Sequence, residues 1–286
     1  MTTTILPPTP VPPAPQGEPT PPPPRSTSSR VIAILAIVFG ALAIVGTMGS
    51  AAWATVASAS IRTGTNATAV SGVTNIDAEL AAGSLTIEFA DIDEAELTVT
   101  GTSGADRWVL ERDGDTLEVR SRDRLWGEMW FWGGSAGEAE LRLPRDLAGV
   151  DADVSVAAGS FEASGDFGDL TIDLGAGRIA VEGSATALTL EVAAGRGEVD
   201  LDGVDTAELS VSAGTLSVGL TGTQPSEIVA DVSAGSLTLA VPEGRYEVTS
   251  DVSGGSFDDR IGSTPGARST IDVEVSAGQA VLRPSR

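Results

Sequence analysis

Two stretches, Val211-Ser212-Ala213-Gly214-Thr215-Leu216-Ser217-Val218 and Val232-Ser233-Ala234-Gly235-Ser236-Leu237-Thr238-Leu239, are copies of one phrase. An aliphatic residue is followed by two small residues, a glycine and a renewed alternation. The glycine of the phrase recurs as Gly83, Gly159, Gly177, Gly195, Gly214, Gly235, Gly255 and Gly278. From Gly159 onward the intervals are 18, 18, 19, 21, 20 and 23 residues. A period of this length is the mark of a stacked repeat.

Aligned on the glycine, position −3 holds Leu80, Val156, Leu174, Val192, Val211, Val232, Val252 and Val275, all branched aliphatics. Position −4 holds Glu79, Ser155, Asp173, Glu191, Ser210, Asp231, Asp251 and Glu274, none of them apolar. Neighbours of opposite solvent preference define a strand buried on one side. Beyond the glycine, apolar residues return at +2 and +4, as in Ile179 and Val181 or Leu237 and Leu239. The step from −3 to +2 is odd, so the buried parity flips at a corner where one residue is expected at positive φ. Further glycines at Gly183, Gly203, Gly222 and Gly244 mark a second bend.

Strands every 8–12 residues also suit an antiparallel sandwich. A meander does not require the same residue class at the same offset eight times, whereas a parallel coil does, because equivalent residues stack. The expected fold is therefore all-β, a single-stranded β-solenoid with rungs of about 18–23 residues. Valines of successive windings should lie above one another.

Outside the repeats the chain divides by composition. Residues 1–30 hold 11 of the 16 prolines and no hydrophobic periodicity, predicting a disordered, partly polyproline-II tail. Residues 31–53 are free of charge, and no charge appears before Arg62. Twenty-three helical residues span about 35 Å, enough for a hydrocarbon core of about 30 Å. Arg25 and Arg30 precede this run and acidic sequence follows, so the positive-inside rule puts the tail in the cytoplasm and the rest outside. A cleaved signal peptide ending at Ala57-Ser58-Ala59 is the rival; the length of the run and the 30 residues before it favour an uncleaved plasma-membrane anchor. Residues 54–72 read as a linker and 73–286 as the extracellular domain. Within it, Asp113-Gly114 between two alternating runs signals a hairpin, and 121–137 interrupts the pattern with Trp126, Met129, Trp130, Phe131 and Trp132.

A net charge of −23 argues against nucleic acid, whose phosphates require basic patches. There is no cysteine, histidine or lysine, which removes thiolate chemistry and two common general bases. Asp258-Asp259 cannot act as an acid and base pair, because adjacent residues of a strand face opposite ways. No nucleophile elbow or phosphate loop is present, and no catalytic residue or cofactor is assigned. The carboxylates at −4 (Asp173, Glu191, Asp231, Asp251, Glu274) form a ladder on one outer face. Like charges about 5 Å apart in water repel by only about 1 kcal/mol, so a solvated face suffices without a metal. The aromatic segment has two readings, a cap over an open end of the coil or a contact patch.

The Pro-rich tail, the single apolar run, the aromatic-glycine segment before Leu141-Arg142-Leu143-Pro144, and the turns "VSAGSL" and "LGAGRI" are similar to a bacterial family of candidate adhesins of unknown function. The resemblance covers about 73–283. It implies a β-helical, membrane-anchored surface module of high-GC Gram-positive bacteria and no catalytic positions. The function expected is non-catalytic contact with an unknown envelope component or protein. The alternative is an envelope-sensing accessory with a regulatory cytoplasmic tail, and a polysaccharide-acting enzyme stands third.

Overall fold

Each phrase folds into a winding of two strands that meet at its glycine. The computed structural model describes residues 62–101, 108–121 and 137–285. In β8 (Val150–Ser184), Ile172 and Leu174 are buried before the corner and Ile179 and Val181 after it, the expected flip of parity. β9 (Ala187–Asp202) and β10 (Thr206–Thr221) repeat this, and the three pair in parallel with one register. Val192 lies between Leu174 and Val211, and Gly195 between Gly177 and Gly214. Strands before the corner form a leading sheet and those after it a trailing sheet, with the aliphatic core between. Turns between windings are stitched by side chains one winding apart: the Ser184 hydroxyl donates to Asp166 at 2.7 Å and the Thr221 hydroxyl to Asp202 at 3.0 Å.

The corner glycines stack on each other's backbone. A Cβ on Gly159, Gly177, Gly195 or Gly214 would run into the carbonyl oxygen of the preceding corner glycine. The expected positive φ occurs at Gly83, Gly159, Gly177, Gly195 and Gly255 but not at Gly214, Gly235 or Gly278. Close backbone approach, which is shared by positions of both kinds, is thus the firmer reason for glycine.

Stacking order departs from chain order at both ends. After β11 (Glu227–Val232) and β12 (Ser236–Val241) comes the winding β13 (Tyr246–Val252) and β14 (Gly255–Asp259). It does not pair with its predecessor. Instead β15 (Ser269–Val275) lies between β11 and β13, and β16 (Gly278–Pro284) between β12 and β14. Val275 thus faces both Val232 and Val252, correcting the expectation that windings stack in sequence. The physical reason is composition. Ile271, Val273, Val275, Ala280 and Leu282 are buried, as a rung covered on both sides must be. The winding 246–259 places Ser250 opposite Val273 and leaves Val252 40% exposed, so it serves as a polar end rung. Residues 260–268 form the longest link between windings, matching the 23-residue interval, and step back over one rung. Tyr246 is buried at the base of this end; its hydroxyl donates to the Pro242 carbonyl at 3.1 Å, and burial pushes its pKa up to about 12.

At the other end, β2 (Asn75–Leu80) and β3 (Gly83–Ala90) pair with the first winding of β8. Beyond them lie β6 (Thr116–Ser121) and β7 (Glu138–Pro144). Among the described residues, antiparallel pairing is confined to this end: β5 (Trp108–Asp113) on β6, β4 (Glu94–Gly101) on β7, and β1 (Arg62–Ala69) on β4. The β5–β6 hairpin turns on Gly114 and Asp115, one residue later than expected, with Gly114 at φ +64°. β1 corrects the linker boundary, because residues 62–69 are a strand although they show no apolar alternation. The tail 1–30 and the apolar run 31–53 lie outside the described residues. Among those described, no helix is long and apolar enough to cross a membrane.

Three outcomes are expected in thermal or urea unfolding. Gly177→Ala should destabilise by about 3 kcal/mol or more, from overpacking and strain together. Gly266→Ala, at φ +76° in open space, should cost about 1–2 kcal/mol from strain alone. Deleting residues 269–286 should remove an interior rung, lower the melting temperature sharply and produce binding of a hydrophobic dye, as Ile228, Val232 and Leu237 lose their cover.

Candidate functional site

A parallel coil in one register turns every outward position into a column. On the leading sheet, one column runs Glu79, Ser155, Asp173, Glu191, Ser210, Asp231, Glu274 and Asp251 in spatial order. The expected ladder is therefore present, with Glu274 lying between Asp231 and Asp251 rather than beyond them. A second column two residues earlier adds Asp77, Asp153, Glu208 and Asp272. Arg120 is the only arginine at an outward position of these strands among the described residues. Its guanidinium lies 3.1 Å from Glu118, 3.6 Å from Glu79 and 3.8 Å from Asp77.

Away from Arg120 the carboxylates face one another. Partial burial, and then the charges of Asp77 and Asp173, push the Asp153 carboxyl above its ordinary range. Partial burial, followed by Asp173 and Glu208, does the same for Glu191. Both groups still reach solvent, so water screens most of the repulsion. Among the described residues, no group of three or more carboxylates converges as a metal site would require. Asp258 and Asp259 are not brought together: Asp258 takes an ion pair at 2.7 Å from Arg260, and Asp259 accepts the backbone N–H groups of Ile261 and Gly262.

The trailing sheet differs. Its first outward column reads Ser84, Ser160, Arg178, Arg196, Thr215, Ser236, Gln279 and Ser256. Arg178 and Arg196 pair in register and are both exposed. A shallow groove of about 550 Å³ runs beside them, between Ser160, Glu162 and Thr215, over the Cβ-free corners. The sequence reading passed over this pair; the available signal was arginine where the other repeats carry a hydroxyl or an amide.

The aromatic candidates Trp126, Met129, Trp130, Phe131 and Trp132 lie outside the described residues. Ser121 and Gly137, the nearest described residues on either side, belong to the outermost parallel rung. The eight turn glycines all stand at the winding corners.

A family model described as Toastrack DUF4097 matches residues 73–254. No curated protein is significantly similar to the chain. Among solved structures, a candidate adhesin from Bacteroides fragilis is similar at 11% identity and a TM-score of 0.47, covering 78% of this chain and 97% of its own. A candidate lipid-binding protein from Parabacteroides distasonis is 16% identical with a TM-score of 0.45, covering 77% and 96%. A candidate cell adhesion protein from Clostridium sporogenes is 12% identical with a TM-score of 0.39, covering 78% and 99%.

The acidic columns set the sign of a pH effect. Asp153 and Glu191 have raised values in the folded chain, so the folded state binds their protons more tightly than the unfolded state does. Their contribution favours folding at low pH and is lost as pH rises through those values. The contribution should therefore appear as a gain in melting temperature on lowering the pH from 7 towards the ordinary carboxylate range, and that gain should shrink in the Asp153→Asn, Glu191→Gln double variant.

Proposed function

The chain belongs to the Toastrack DUF4097 family, and from that premise we propose that it is a non-catalytic surface module, held by residues 31–53 in the plasma membrane and displaying the coil outside the cell. The carrying observation is the arrangement of charge. The leading sheet offers a broad, repetitive acidic face, built by the same in-register pairing that builds the core. Such a face attracts a basic partner over a distance set by ionic strength rather than seating one small substrate. The partner is an envelope component or neighbouring protein with clustered positive charge. The apolar run before the coil and the arginines ahead of that run support an anchored topology.

Shaving intact cells with an external protease tests this reading. Fragments from 62–285 should be released while residues 1–24 stay protected. Binding of the full chain to isolated envelopes should fall as salt is raised from 0.05 to about 0.5 M, because the Debye length shrinks to a few ångströms. A coil protected from external protease overturns the surface assignment.

A further inference from the structure

The arginine pair on the trailing sheet calls for its own account. Strand neighbours in register are about 4.8 Å apart, and like charges placed directly opposite one another are unfavourable. The fold does not demand them, because Ser84, Ser160, Thr215 and Ser236 occupy the same column. Nor are they neutralised locally. Arg120, Arg142 and Arg260 are each in an ion pair with a carboxylate, whereas among the described residues neither Arg178 nor Arg196 has such a partner.

Two residues further along the strands, Ala180 pairs with Glu198, and Glu162 stands on the preceding winding. A small side chain thus sits between two acidic residues, about 7 Å along the backbone from the two arginine positions. These four charges cancel among themselves, with Glu162 in the groove lining and Glu198 outside it, and the exposed pair Glu182 and Asp200 two residues further along the strands. A bare anion would meet Glu162 and Glu198 as well as the long-range field of a chain of net charge −23. A bare cation would meet the arginines. A ligand carrying an oxyanion and an ammonium a few bonds apart satisfies both columns. Arginine's planar fork suits the oxyanion, and Ser160 and Thr215 at the groove ends supply hydroxyls for its remaining oxygens.

We propose that the groove beside Arg178 and Arg196 binds a zwitterionic phosphate ester, its oxyanion on the two guanidiniums and its ammonium on Glu162 and Glu198. The inference deepens the surface-module reading, resting on it for where the ligand is met and not for the chemistry of the site.

The test is calorimetric titration and thermal unfolding of the full chain in micelles of an uncharged detergent, with O-phosphoethanolamine as the probe. The probe should raise the melting temperature, and inorganic phosphate or ethanolamine alone should do so much less. Arg178→Gln with Arg196→Gln should abolish the shift. Arg178→Lys with Arg196→Lys should weaken binding about tenfold by removing the fork. Arg245→Gln, at a separate turn, should change nothing. Mixed micelles of phosphatidylethanolamine that compete with the probe assign a lipid headgroup as the source; binding without that competition assigns a soluble ester. No shift in the wild-type chain, an equal shift with phosphate alone, or a shift retained in the double glutamine variant overturns the proposal. Protease shaving is independent of the groove, so a failed titration with released fragments sinks this site and leaves the surface role standing.

Discussion

The molecule depends on backbone lying directly on backbone at one corner of every winding. Where Gly177 rests on the carbonyl of Gly159 there is no room for a methyl group, and the contact recurs at Gly195 and Gly214. This fixes the register, since a shift of one residue would bring a Cβ into the stack. With the register fixed, the alternation of each strand becomes shared by all of them. Aliphatic residues meet aliphatic residues inside, and the outer faces inherit columns of like chemistry. Core and surface thus follow from one steric condition.

The corners, the parity flip and the buried columns could be read from residue order, because each is a local property repeated at fixed offsets. The order of stacking could not be read the same way. A repeat says which residues are equivalent, not which winding is nearest in space. The clue lay in residue choice: Ser250 stands at an inward position in 246–259, whereas 271–282 is apolar at every inward position. β1 escaped notice for a different reason. Thr63 to Ala69 is an edge strand with nothing to bury, so it carries no period-two signal.

Surface chemistry was partly legible. The −4 acids announced an acidic face because their column coincides with the repeat offset. Arg178 and Arg196 were hidden in a position whose class is merely polar, and their meaning comes from adjacency across the sheet. The two faces now have different characters. One is broad and predominantly acidic, suited to long-range attraction; the other holds a compact set of charges of both signs, suited to short-range recognition.

The displaced final rung has a consequence for how the chain is made. Synthesis delivers 246–259 before 269–284, yet the later segment must end up beneath the earlier one. At ordinary ribosomal rates that interval is on the order of seconds. The coil therefore closes like an arch, the last stone driven in beside one already laid, and it reaches its final form only once residues 269–284 have been made.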